Sequence, residues 1–427
     1  MKHRIVVLGA GYAGAYVAGN LARRLSPADA EITVVNAEPD FVERLRLHQL
    51  AAGHEIKAQK LADVFAGTGI RLRLARVTAV DPERQVVAVA DADGGGELGY
   101  DTLVYALGSH VADGGVPGMA EHAFHVTGRP AALRLRERLD ALDRRGEGGN
   151  VLVVGDGLTG IETATEIAEA RPGLSVTLVA RGELGARLSA GARGHLRRAC
   201  DRLGITVLER TSVEAVEATR ALCADGTALA CDATVWTAGF AVNPIAAAGL
   251  EVTENGRIVV DRTMRSLSHP NVYAAGDSAY AIGDNGRPLP MSCASAGYTG
   301  RQATDAIVGR LTGREIANTK LVYPGNHISL GRRDGILQPV DEEAQAKPMY
   351  VGGRKAARIK TGILKISLWG ISPPTFALPA RKRRLAATPG PRDEPVTNQT
   401  LLMVSYRSPR GGGCAAVTTQ RGQADHS

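Results

Sequence analysis

One glycine fingerprint occurs twice in this chain, and the pair limits the possible fold more than any other feature. The first copy runs Arg4-Ile-Val-Val-Leu-Gly9-Ala-Gly11-Tyr-Ala-Gly14. The second runs Asn150-Val-Leu-Val-Val-Gly155-Asp-Gly157-Leu-Thr-Gly160-Ile-Glu162. Each is an apolar run, then G-x-G-x-x-G, then a stretch that reads as helix. A second apolar run follows each, Glu31 to Asn36 and Ser175 to Ala180. Gly9 and Gly155 permit the tight turn out of the strand. Gly11 and Gly157 lack a Cβ, so a pyrophosphate can approach the backbone, and Gly14 and Gly160 let the helix lie close on the sheet. The helix N-terminus then offers free N–H groups and a positive dipole end to phosphates. A lone copy is weak evidence, because glycine turns between strand and helix are common. Two copies in strand–turn–helix–strand context predict two dinucleotides facing each other, an arrangement that serves hydride transfer between a flavin and a nicotinamide.

The length of 427 residues allows two or three domains with well-formed cores. The 44% apolar and 22% charged content is that of a globular protein in water, and 4% aromatic content argues against a base-stacking surface. Cys200, Cys223, Cys231, Cys293 and Cys414 form no C-x-x-C and no metal-ligand spacing, which fits a reducing cytosol and predicts no metal site. Lys2-His3-Arg4 before an apolar run imitates a signal peptide, but cleavage there would destroy the first fingerprint. No run is long enough to span a membrane.

Along the chain, a helix is expected from about 12 to 25, ending before Pro27, then a strand over 31–36. Residues 70–80 and 85–90 read as a β-hairpin and 91–99 as a turn-rich loop. Residues 101–106 read as a buried strand that closes on Leu107-Gly108. A connection through Pro117-Gly118 leads to a charged helix near 131–145, and the α/β unit repeats over 149–240, closed by a strand ending at Gly239. Then come Asn271-Val-Tyr-Ala-Ala-Gly276-Asp277 and a helix over about 293–311. Residues rich in Gly, Pro, Ser, Thr and Arg from 385 to 427 predict a disordered tail.

Over about residues 1–320 the chain resembles the pyridine nucleotide–disulfide oxidoreductase superfamily, flavoproteins with two dinucleotide-binding domains. Both fingerprints, the Ala106-Leu-Gly108 strand end and the Gly276-Asp277 segment carry the likeness. The resemblance implies an α/β fold of two Rossmann-like three-layer dinucleotide-binding domains plus a small C-terminal domain. It implies FAD bound by residues 1–112 and 246–320, NAD(P)H by 113–245, and a C-terminal domain at 321–380. It places Gly9, Gly11, Gly14, Asn36, Arg44, Val77, Ala106, Gly108, Gly276 and Asp277 around FAD, with Asp277 on the ribityl hydroxyls. Gly155, Gly157, Gly160, Arg181 and Gly239 would serve NAD(P)H. Disulfide reductases of the group need a cysteine pair beside the flavin, and none is present. Pro39-Asp-Phe-Val-Glu43-Arg44-Leu-Arg-Leu-His48-Gln49 and Glu162 are instead similar to the type II NADH dehydrogenase-like branch, in which Glu162 would lie near the nicotinamide–flavin junction as the catalytic residue. Read without the resemblance, Asp277 is a turn aspartate capping a helix and Glu162 a first-turn glutamate favoured by the dipole.

Three positions depart from the branch pattern. Asn36 stands where an acid for the adenosine ribose of FAD is common. Ala180 stands where NAD-specific members carry an acid for the 2′-hydroxyl, and Arg181 follows it, which leans towards NADPH or dual use. The region Leu289-Pro-Met-Ser-Cys293-Ala-Ser295 lacks the quinone-associated pattern, so the acceptor, a quinone or another small molecule, stays open. Cys293 reads either as a redox thiol or as a small apolar residue at a helix start. His48 and His110 are further candidates for the flavin surroundings.

The net charge of +7 is local, because residues 353–384 hold nine Lys and Arg and no acid. The mixture with Ile363, Ile366, Leu368, Trp369 and Ile371 reads as an interfacial membrane segment, which would place the protein in the cytoplasm at the inner face of the cell membrane. It reads equally as a small domain whose apolar side packs on the flavin domain. No nucleic-acid partner is expected, and a homodimer is left open. Two other readings remain: a flavin reductase for a ferredoxin-like or biosynthetic partner, and an NAD(P)H-sensing flavoprotein with negligible turnover.

Overall fold

Two five-stranded parallel sheets organise the computed structural model, which describes residues 1–387 apart from Asp93 and Glu147. In the first sheet His3–Leu8 is central, with Ala30–Asn36 and Arg71–Leu74 on one side and Thr102–Tyr105 and Val272–Ala274 on the other. In the second, Gly149–Val154 is central, with Leu174–Val179 and Thr206–Leu208 on one side and Ala233–Trp236 and Ala123–Phe124 on the other. The helices Tyr12–Arg24 and Leu158–Ala170 leave the two central strands. The last strand of the first sheet returns to it only after the second sheet is complete, so the first unit is built from two separate stretches of chain.

The central strands are buried on both faces, which is why they read as unbroken apolar runs. In the second sheet the division of faces is explicit. Val151 and Val153 enter a core shared with the helices, while Leu152 and Val154 enter one shared with an antiparallel meander. That meander is Val213–Val216, Arg220–Cys223 and Ala228–Ala230, and its counterpart in the first unit is Arg76–Asp81, Val86–Ala90 and Gly96–Gly99. Each unit is thus a helix layer, a parallel sheet and a meander.

The hairpin expected over 70–90 is corrected here. The chain divides at Ala75: Arg71–Leu74 joins the parallel sheet, and Arg76–Asp81 opens the meander. Alternation runs through Ala75, so periodicity does not register the change of sheet. Gly96–Gly99, read as loop, is the third meander strand, its pattern hidden by glycines at both ends.

Gly325–Ser329, Gly335–Pro339 and Val351–Gly352 form a small antiparallel sheet, covered by the helix Gly353–Trp369. This C-terminal segment contributes to the cores of both units: Ile328, Leu330 and Ile336 join the second, Ile371 and Phe376 the first. The tail expected from 385 begins docked. Ser26 N–H donates to Arg383 O at 2.8 Å, Arg384 Nε donates to Asp29 Oδ2 at 2.5 Å, and Ala386 N–H donates to Leu311 O at 2.9 Å. The remainder of the expected disordered tail, 388–427, lies outside the described residues.

Candidate functional site

The two glycine turns have the same geometry. Gly9 and Gly155 have φ of +90° and +113°, and a Cβ on Gly9 would lie 2.4 Å from Ala106 O. A Cβ on Gly14 would lie 1.9 Å from Gly9 O, and one on Gly160 would lie 1.8 Å from Gly155 O. A Cβ on Gly11 or Gly157 would meet nothing within 4 Å, so the middle glycine of each turn faces open space. Neither helix has a side-chain N-cap, which leaves first-turn N–H groups aimed into that space. Both turns leave room for a pyrophosphate against the backbone.

Asn36 and Ala180 occupy equivalent places, because Gly9 N–H donates to Val35 O at 2.8 Å and Gly155 N–H to Val179 O at 2.9 Å. Asn36 Oδ1 accepts from Ala10 N–H at 2.9 Å and its Nδ2 donates to Glu38 O at 2.7 Å. The amide therefore braces the first glycine loop. Ala180 is a buried methyl, and Arg181 beside it is exposed. Val77 is buried opposite Val89 in the meander, so only its backbone is offered to a ligand.

Asp277 is brought to the first turn by Gly276, which packs on Ala13 and donates its N–H to Thr299 Oγ1 at 3.0 Å. Ser109 Oγ donates to Asp277 Oδ2 at 2.7 Å. The Arg44 guanidinium donates to Ser109 O at 2.7 Å and to its Oγ at 3.2 Å, and lies 4.0 Å from Asp277 Oδ2. Arg44 also covers the Phe240 ring, 5.9 Å from its centroid, and runs past Gly108. Ser109–Val111 pairs antiparallel with Phe240–Val242, and Ala112 N–H donates to Gly239 O at 3.2 Å, so a short ribbon ties the strand ends of the two units together. Ser109 was not singled out in the sequence. Its one local signal is its place directly after Gly108.

Glu162, on the first turns of the second glycine helix, accepts from Ser329 N–H at 2.9 Å and from Lys360 Nζ. Lys360 is buried, and its ammonium also donates to His327 O at 3.0 Å. Burial lowers its pKa to about 7, while contact with the Glu162 carboxylate favours the charged form. One turn further along, Glu166 is wholly buried. Its carboxyl lies 2.8 Å from His54 Nε2, 3.9 Å from His48 Nε2 and 3.8 Å from Arg332 Nε. Burial raises Glu166 to about 7, against the opposing charge of Arg332, and the same burial lowers His48 and His54. His48 thus belongs to the seam between the second glycine helix, the helix Leu47–Ala52 and the C-terminal segment. Nothing local in the sequence marks Lys360, His54, Glu166 or Arg332, whose partners are far away in the chain.

Cys293 is half-buried at the start of the helix Cys293–Thr312, and burial followed by the nearby Asp277 charge pushes its thiol up to about 12. This supports its reading as a small apolar residue. His110 is exposed on the ribbon.

Residues 3–300 match the family described as pyridine nucleotide-disulphide oxidoreductase. An NADH dehydrogenase-like protein of Mycobacterium tuberculosis is 30% identical over 418 residues, which cover 92% of this chain and 99% of that protein. A type II NADH:quinone oxidoreductase of Staphylococcus aureus is 27% identical over 386 residues, covering 84% of this chain and 93% of that protein. Among solved structures, NDH2 from Plasmodium falciparum in complex with NADH has a TM-score of 0.73 at 15% identity, covering 87% of this chain and 96% of its own, a likeness of fold. Both glycine turns and the Gly276-Asp277 segment fall inside the family match, and the chain belongs to the pyridine nucleotide-disulphide oxidoreductase family.

Proposed function

We infer that the chain is an FAD-dependent NAD(P)H oxidoreductase that delivers electrons to a quinone or another small acceptor. The duplicated turn carries this reading: two open cradles of one geometry, joined strand end to strand end, in a chain whose relatives are named NADH dehydrogenase-like and type II NADH:quinone oxidoreductase. When bound, the nicotinamide supplies a hydride that the flavin accepts and passes on as electrons. The chain's own work is to bind, orient and exclude water. Gly11 and Gly157 leave room for the two pyrophosphates. Asp277, held by Ser109, is the acceptor for ribityl hydroxyls, and Arg44 fixes that pair. Glu162 is the acid–base group of the second turn, and the buried Lys360 ammonium holds its carboxylate in place. Cys200, Cys223, Cys231 and Cys293 are free thiols.

The acceptor side is supported by the helix Gly353–Trp369. It turns Ile359, Ile366 and Trp369 outward among the exposed Arg354, Lys355, Arg358 and Lys365. That face suits an anionic bilayer surface, with attraction of about 1 kcal/mol per cation near it. No helix among the described residues is long and apolar enough to cross a membrane; in this reading the basic, apolar face makes a peripheral contact at the cytoplasmic side.

Anaerobic stopped-flow mixing with NADH and NADPH, followed by menadione or a ubiquinone analogue, tests the proposal. The flavin absorption bleaches rapidly and the quinone restores it. Bleaching without quinone reoxidation moves the acceptor to a protein or metabolite. A purified protein with no flavin sinks the proposal.

A further inference from the structure

The rims of the two cradles differ in charge. At the first, Asn36 spends its amide on the glycine loop. At the second, the equivalent Ala180 offers no polar atom, and the chain continues directly into Arg181. The backbone there is held firmly: Ala180 N–H donates to Leu208 O at 2.8 Å, Thr211 N–H to Ala180 O at 3.0 Å and Arg210 N–H to Gly182 O at 3.1 Å. Arg181 therefore stands at a fixed place on the strand end. Its guanidinium is exposed and has no ion pair or hydrogen bond among the described residues.

Glu183, two residues on, and Glu209, beside the Arg210 that bonds Gly182 O, are already engaged. Glu183 pairs with Arg193 at 3.2 Å and Arg210 at 3.0 Å, while Glu209 takes Leu184 N–H at 2.6 Å and Arg197 at 2.5 Å. Two arginines share the single charge of Glu183, so this side of the rim is net positive. Adenosine ribose of a dinucleotide on a glycine turn lies at the end of the second strand, where a carboxylate selects a free 2′-hydroxyl and repels a 2′-phosphate. Here the carboxylate is absent and an uncommitted guanidinium, suited to bidentate phosphate contact, is present.

We propose that the second cradle prefers a dinucleotide carrying a 2′-phosphate, with Arg181 as the specificity-determining residue. This rests on the reading of that cradle as the NAD(P)H site. Asp156, which follows Gly155 in the loop, opposes the proposal, since its counterpart Ala10 donates its N–H to Asn36 at the first rim. The preference therefore requires that Arg181 outweigh Asp156.

Calorimetric titration of the holoprotein with adenosine 2′,5′-bisphosphate and with AMP reads this directly, alongside kcat/KM for NADPH and NADH. The bisphosphate is expected to bind at least about tenfold more tightly than AMP, and Arg181→Ala to remove about tenfold or more of that ratio, the size of a charge-assisted contact. Arg181→Lys should restore part of it, and Asp156→Asn should widen it. AMP binding as well as the bisphosphate, or a ratio unmoved by Arg181→Ala, overturns the inference while the oxidoreductase reading stands if NADH still bleaches the flavin. Binding of neither probe, with no bleaching by either nucleotide, overturns both.

Discussion

The two dinucleotide cradles are copies in backbone and strangers in side chains. Both close a glycine turn within 2 Å of the position a methyl would need, and both leave the middle glycine open. Around the first, the glycine helix Tyr12–Arg24 has no acid and packs through small residues against the helix Cys293–Thr312, with Arg24 paired to Asp305 at 2.5 Å. Around the second, Glu162, Glu166 and Glu169 follow one another along the helix and face cationic or proton-bearing groups of other segments. The helix behind the first cradle is held by packing, which in the proposed reading suits a resident cofactor. The second is bordered by titratable groups and an open basic rim, which suits a nucleotide that comes and goes. In the proposed function the glycines make room for a pyrophosphate, and the neighbouring side chains set which dinucleotide is held.

The sharpest break of this comparison is at the third glycines. Gly14→Ala forces a methyl onto Gly9 O and should yield protein with little flavin. Gly160→Ala should leave the protein yellow but abolish bleaching by either nucleotide. A Cβ at either position would lie 1.9 or 1.8 Å from a backbone oxygen that no side-chain shift can clear, so near-complete loss is expected, read as flavin content and as rate of flavin reduction. Loss of flavin in Gly160→Ala as well would show the cradles to be one cooperative site.

Next is Lys360→Met, which leaves Glu162 charged and unpaired and should cost about 3–5 kcal/mol in denaturant unfolding. The double variant Lys360→Met with Glu162→Gln should recover much of that loss. A single variant as stable as the parent would mean that the C-terminal helix is not held through this contact.

Glu166 gives a smaller effect with a defined pH sign. Its folded pKa is raised from 4.5 to about 7, so the folded state holds the proton more tightly than the unfolded chain. The resulting stability is present in full below about pH 4.5 and is lost as pH rises to about 7, on the order of 3 kcal/mol. The melting temperature of the parent should fall relative to Glu166→Gln between those limits, and parallel profiles would remove Glu166 from the seam's titration.

The smallest effect belongs to Asn36→Ala. It removes two hydrogen bonds from the first rim, each worth about 0.5–1.5 kcal/mol net, and should weaken FAD retention measured by dialysis. Unchanged retention would mean that the first loop, like the second beside Ala180, needs no brace.

The glycine turns, the central strands and the helices that leave them were legible in the sequence because each depends on local rules. A glycine is required by a turn, an apolar run by burial on both faces, and a helix by its own periodicity. The split at Ala75 and the strand Gly96–Gly99 were not legible, since alternation is the same whichever sheet a strand joins. Within the candidate site, Gly276-Asp277 was recognisable as a segment, but Ser109 as the group that holds Asp277 was not.

By itself the sequence determined two α/β units, each built on a glycine turn, and their order along the chain. Tertiary structure alone decided that Lys360, in a segment read as a basic face, turns inward to Glu162 while Ile359, Ile366 and Trp369 turn outward. It also decided that His48, His54 and Glu166 meet. The physical reason is range. Turn and strand preferences act between neighbours in the chain, whereas charge pairing and burial act through space, and they bring residue 162 to residue 360 only once both units and the C-terminal sheet have packed.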